Sequence, residues 1–256
     1  MATAPHKLSQ YLIWIESILS AASKPKPFII SITASHPDVM RSTIGAIQAL
    51  RTKGPAFAGI GVEFNTSCPN IRGSAPSGYA LANVVPLLNV LADAWRADKS
   101  LTLGLKLPPY VYAAQFAEVL DTLRQFSTTD ADGRARNPIA YIACTNTLGN
   151  ALLFAEQVES GAGAAEGAFA VPTALGGIAG DALHALALGN VYSFTRLLEA
   201  EDASSALKNL IIVGIGGVTS AEAAARMRKA GASVVGSATL FGKEGVHAFK
   251  IISGEQ

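Results

Sequence analysis

The chain has 256 residues, half of them hydrophobic and 15% charged, with a formal net charge of +1. That length accommodates one large domain with a sizeable core, and the scattered Lys and Arg residues exclude the basic stripe of a nucleic-acid binder. No apolar run reaches the roughly 18–20 residues of a membrane span, and MATAPHKLSQ has no basic segment leading into an apolar signal core. Cys68 and Cys144 belong to no CxxC or Cys/His cluster, so they read as free thiols in a reducing, cytosolic compartment. The histidines His6, His36, His184 and His247 show no metal-ligand spacing, and no metal is expected.

A helical stretch from Leu8 to Ala22 comes first. FIISIT (Phe28 to Thr33) reads as a strand and Pro37 to Leu50 as a helix that starts at a proline. AGIGVEF (Ala58 to Phe64) and a helix over Val84 to Ala97 follow. LTLGLKL (Leu101 to Leu107) is stopped by Pro108 and Pro109 and precedes a helix from about Ala113 to Phe126. IAYIACT (Ile139 to Thr145) is the fourth strand. A Gly/Ala-rich stretch from Asn150 to Gly180 then leads into the helix Ala182 to Glu199. NLIIVG (Asn209 to Gly214), a helix over Ser220 to Ala230 and the short SVVG (Ser233 to Gly236) complete the series.

About six nearly continuous apolar strands alternating with helices predict an α/β fold whose parallel strands are buried on both faces. Two architectures compete, an open doubly wound sheet and a closed (β/α)8 barrel. Polar residues stand at or just beyond four strand ends: Asn65 to Asn70, Lys106, Asn146, and Gly216 with Gly217. A barrel gathers all its strand ends around one mouth, whereas an open sheet gathers them only at a switch point. The pattern therefore predicts a single TIM-type barrel domain over residues 1–256, incomplete, with about six of eight βα units present and two absent from the N-terminal side.

Cys68 sits in NTSCPN, a polar loop at a strand end. A free cysteine is more often a small buried hydrophobe, but the neighbours Ser67, Pro69 and Asn70 favour a general base, since a thiol of pKa about 8.5 needs only modest tuning for that role. Cys144 lies inside an apolar strand and reads as core. Lys106 is the lone charge of its strand; it either snorkels from an edge or points into the mouth, where an ammonium stabilises a ligand gaining negative charge. Asn65, Asn70 and Asn146 singly pass for turn chemistry. Together they can read a ring of alternating C=O and N–H groups and a carboxylate, while Asn150 is ambiguous. Gly216 and Gly217 before a helix, with Ser237, Ala238 and Thr239 after the last strand, predict a phosphate site. Gly176 and Gly177 either close over the same ligand or belong to a flexible loop.

The motifs NTSCPN, GLKLPPY, CTNTLGN, ALGGIAGDAL, GIGGV, and GASVV followed by KEG, resemble in content and order the class 1 dihydroorotate dehydrogenases, the soluble branch with a cysteine base. The resemblance runs from about Leu8 to Ile252. It implies an FMN barrel that oxidises dihydroorotate to orotate in pyrimidine (UMP) synthesis, with fumarate as acceptor. Cys68 would take a proton from C5 while hydride leaves C6, and Lys106 would stabilise the anionic reduced flavin. Asn65, Asn70, Asn146 and Thr147 would hold the substrate. Thr145, Gly176, Gly177, Gly216, Gly217, Ala238 and Thr239 would line the FMN, and a homodimer is implied by analogy. The chain departs from the family pattern in several places, among them a short closing helix that stops at Gln256. Two N-terminal βα units that carry a second lysine and a substrate loop have no counterpart, Ala238 replaces a glycine, and Ala185–Leu186 replaces a Pro-Thr pair. The competing readings are another FMN barrel oxidoreductase acting on a related dihydropyrimidine, and a non-catalytic remnant that binds FMN or a partner chain.

Overall fold

Strands form where branched and leucine-rich runs stand between Pro, Gly and polar breakers, and helices where apolar residues recur every three or four positions. The computed structural model describes residues 6–24, 26–67, 77–157, 169–200 and 204–255. In chain order its elements are α1 (Leu8–Ala21), β1 (Phe28–Ile32), α2 (Pro37–Arg51), β2 (Ile60–Asn65), α3 (Val85–Ala97), β3 (Leu103–Leu107) and α4 (Ala113–Arg124). A small ribbon, β4 (Thr128–Thr129) with β5 (Ala135–Arg136), precedes β6 (Ile139–Cys144). A second antiparallel ribbon, β7 (Leu148–Leu152) with β8 (Leu175–Ile178), projects between β6 and α5 (Asp181–Glu199). The remaining elements are β9 (Ile211–Ile215), α6 (Ala221–Lys229), β10 (Val234–Gly236), α7 (Thr239–Glu244) and α8 (Ala248–Ser253).

Six strands make one sheet in the order β1-β2-β3-β6-β9-β10, and every neighbouring pair is parallel. Each strand joins beside its predecessor on the same side, so the order never reverses. A doubly wound sheet must reverse once; a wall that advances in one direction, with a helix between successive strands, is the winding of a barrel. Among the described residues β1 and β10 are free edges. The expectation of six units of an eight-unit barrel therefore holds, and the wall is open.

Register separates the two faces, because directly paired residues point the same way. Ile32, Phe64, Leu105, Ile142 and Ile212 are paired in one row across five strands, and all are 7% exposed or less. This row faces the helices, and each such side chain contributes about 1.5–3 kcal/mol on burial. The alternate row, Ser31, Glu63, Gly104, Tyr141 and Ile211, faces the lumen. Gly104 is explained by its neighbour: a Cβ there would stand 2.0 Å from Cζ of Tyr141. Its absence lets the phenol cross β3 and donate to Glu63 at 3.4 Å, while Ser31 donates to the other carboxylate oxygen at 3.3 Å.

Two polar anchors fix the ends of the wall. At the N-terminal end Arg51, 6% exposed, donates to the carbonyls of Ala58 (2.9 Å) and Ile60, to Ser100 Oγ (3.0 Å) and to Asp98 (3.3 Å). At the opposite end Asn190 of α5, 1% exposed, exchanges two bonds with the Tyr110 backbone, 2.8 Å and 2.9 Å, which ties the loop after β3 to α5.

Candidate active site

The mouth is built by main-chain bonds that continue past the strand ends. Thr66 N and Oγ1 both donate to Lys106 O, Asn146 N donates to Leu107 O, and Thr145 N to Ile215 O, at 3.1, 2.8, 2.8 and 2.7 Å. Asn65 and Lys106 are register partners at the ends of β2 and β3. These bonds bring residues from distant segments to one cleft, lined by Lys106, Thr145 to Thr147, Gly180, Gly216 and Gly217, and Ser237 to Thr239, among others. The cleft measures about 60 Å³, far below the roughly 300 Å³ of a complete small-molecule pocket. It suits one compact group, and the rest of a larger ligand would extend beyond it.

Within the cleft the two asparagines are joined. Asn146 Nδ2 donates to Asn65 Oδ1 at 3.0 Å, and Asn65 Oδ1 also accepts from Ser67 N at 3.0 Å. Asn146 Oδ1 accepts from Thr147 N at 2.8 Å, which fixes the amide orientation. The Asn65 NH2 is left without a protein acceptor among the described residues. Thr145 Oγ1 is buried with no hydrogen-bond partner among the described residues, an uncommon state that a bound ligand would relieve. Lys106 is half-buried, and among the described residues no carboxylate lies within ion-pair distance of it.

The phosphate-type turn requires its glycines. Gly216 and Gly217 have φ of 134° and 62°, and Cβ atoms there would stand 2.6 Å from Ala187 Cβ and His184 Cβ respectively. The following helix α6 opens at Ser220, whose side chain accepts from Ala223 N at 3.2 Å. Ala238, where the resembled family has glycine, has φ −113°, a backbone any residue adopts, so the methyl group costs no strain.

Of the residues singled out in the sequence, Lys106, Thr145, Asn146, Thr147, Gly216, Gly217, Ala238 and Thr239 share the cleft, and Asn65 is bonded to it. Gly177 abuts Thr147, whose Oγ1 would be 2.2 Å from an added Cβ. Gly176 lies on the β7–β8 ribbon facing Val171 and does not line the cleft. Cys68 and Asn70 fall outside the described residues. Cys144 is fully buried and burial pushes its thiol upward, away from the thiolate. Sequence reasoning missed Glu63, a lumen carboxylate one row below Lys106, and the Tyr141 phenol that bonds to it. Burial first and the Glu63 charge second push that phenol upward. The signal available was the polar residue at an alternate position in AGIGVEF.

The family model for dihydroorotate dehydrogenase matches residues 21–255. A Streptococcus pyogenes protein whose name reads dihydroorotate dehydrogenase A (fumarate) is 26% identical over 251 residues, covering 98% of this chain and 69% of that protein. A Streptococcus equi subsp. equi protein with the same name is 26% identical with the same coverage. The solved Eimeria tenella DHODH in complex with ferulenol superposes with a TM-score of 0.62 at 14% identity, over 97% of this chain and 62% of that one. This chain thus spans about two thirds of the length of those relatives. With all but its first 20 residues and its last one matched by the family model, the chain belongs to the dihydroorotate dehydrogenase family.

Proposed function

We propose that this chain binds FMN and oxidises dihydroorotate to orotate in pyrimidine (UMP) synthesis, with fumarate as electron acceptor. The observation that carries the reading is the meeting, in one cleft, of an ammonium from β3, an asparagine pair from β2 and β6, and a glycine turn after β9. These residues fit FMN. The Gly216–Gly217 turn and the hydroxyl of Thr239 suit a phosphate, and Lys106 and Thr145 Oγ1, which has no partner among the described residues, suit a polar ring at the other side of the cleft.

Bound FMN would supply the two-electron acceptor for hydride from C6 of dihydroorotate, and fumarate would then take those electrons. The protein's part is orientation and proton handling. The Asn65 NH2 and the remaining capacity of Asn146 hold the pyrimidine amide groups or the carboxylate, with Asn70 and Thr147 completing the set. Cys68, as thiolate, takes the proton from C5, which is acidified by the adjacent carbonyl. Lys106 keeps a positive charge beside the ring as negative charge builds there.

The purified protein, loaded with FMN without oxygen, is expected to lose its flavin absorbance on adding dihydroorotate and to keep it with dihydrouracil. Equal bleaching by both would favour a broader dihydropyrimidine oxidoreductase. The open wall favours one second reading, FMN binding without turnover, in which neither substrate bleaches the bound flavin. A homodimer is proposed on the β7–β8 ribbon and its flanks, where Leu152, Phe154, Phe169, Val171 and Leu175 are 37% to 51% exposed. No described helix is long and apolar enough to cross a membrane, which is compatible with the proposed cytoplasmic site of action.

A further inference from the structure

His184 of α5 stands between two groups that together admit a single ring tautomer. Gly216 O, 2.9 Å from Nδ1, can only accept, so Nδ1 carries the hydrogen. Arg226 Nε–H of α6, 3.2 Å from Nε2, can only donate, so Nε2 presents its lone pair. The result is a chain of donors running from a guanidinium, through an imidazole, to one carbonyl of the glycine turn.

That carbonyl belongs to the peptide between Gly216 and Gly217, which is trans. In a planar trans peptide the C=O and N–H point in opposite directions. With glycine on both sides, at φ 134° and 62°, this is the peptide of the loop least held by side-chain sterics. If it rotated, a carbonyl oxygen would replace the N–H at the cleft and repel an anion. Gly217 lines the cleft, and its N–H makes no hydrogen bond among the described residues. His184 does not line the cleft, so its effect passes through Gly216.

Charge makes the orientation matter. Lys106 is the only cation among the described residues that line the cleft, and it stands on β3, separated from the β9 turn by β6. Near the turn Thr219 donates to the Asp181 carboxylate at 2.5 Å, a neighbour that disfavours an anion. An anion at this end depends on aligned N–H dipoles.

We propose that His184 is a positioning residue: its bond to Gly216 O aims the Gly217 N–H into the cleft to receive a phosphate group, and Arg226 fixes the tautomer that makes this bond. The identity of that phosphate as the FMN phosphomonoester rests on the reading above. The test is a fluorescence titration of the full chain and of His184→Ala and His184→Asn with FMN and with riboflavin, which lacks the phosphate. Expected is an FMN affinity about tenfold weaker in His184→Ala, unchanged riboflavin affinity, and recovery in His184→Asn, whose amide can donate to the same carbonyl. Equal weakening of both flavins, or unchanged FMN binding, would overturn the proposal. If the wild-type chain binds neither flavin, the FMN reading fails. The positioning role is then read from thermal stabilisation by inorganic phosphate: stabilisation in wild type and loss in His184→Ala supports it, and equal behaviour of the two overturns it.

Discussion

Gly104 shows how one absent side chain organises the lumen. Any larger residue would collide with the Tyr141 ring, and Glu63 would lose the phenol that holds it one row beneath Lys106. That carboxylate lies at the floor of the mouth, one register row beneath an ammonium that has no ion-pair partner among the described residues. Lys106 was legible because a lone charge in an apolar strand demands a reason. The Glu63–Tyr141 bond was not, because its two ends are 78 residues apart and only the wall's register brings them together. Cys68 carries the sharpest prediction at this scale. Cys68→Ala is expected to retain FMN while the anaerobic rate of flavin reduction by dihydroorotate falls roughly 10²–10⁴-fold near neutral pH. An undiminished rate would remove Cys68 from the role of base.

At the scale of elements, the wall strands and the helices between them follow from composition, since each strand is a continuous apolar run and each of these helices is amphipathic. The β7–β8 ribbon was not legible. LGNAL and LGGI lack β-branched density, and Asn150 sits at φ 61° within an irregular register, so local propensity points to a loop and long-range pairing overrides it. The anchor at the base of the wall gives an acid-stability prediction. Asp98 accepts from Ser100 and Gln48 and faces Arg51, and the Ser100 and Gln48 bonds, with Arg51 adding to them, hold its carboxyl at about 2. Because the folded value lies below the usual value of about 3.9, its stabilisation is complete above that value and is lost as pH falls toward 2. Asp98→Asn is expected to lower stability by about 1 kcal/mol at pH 7, a modest figure because the carboxylate is one-third exposed. Thermal melts should show the gap between the two proteins closing between pH 4 and pH 2. A gap constant across that window would contradict the assignment.

At the scale of the molecule, the strand order alone excludes a doubly wound sheet, and it places every C-terminal strand end on one rim. The same order leaves two free edges among the described residues and exposes lumen residues that a closed barrel would cover, with Ile29 and Ile211 each 43% and Val234 51% exposed. Barrel winding was legible from the polar strand ends, whereas the meeting of α5 and α6 at the glycine turn was not, since His184 and Arg226 stand 42 residues apart and form no motif. We propose that a single FMN spans the cleft from the β9 turn to Lys106. It is tested most directly by equilibrium FMN titration of the wild-type chain, Lys106→Ala and Gly217→Ala, with unliganded melting temperatures as the folding control. Expected are one FMN per wild-type chain and a loss of affinity of at least about tenfold in each variant. Unchanged affinity in either variant would mean that no one flavin reaches both sites.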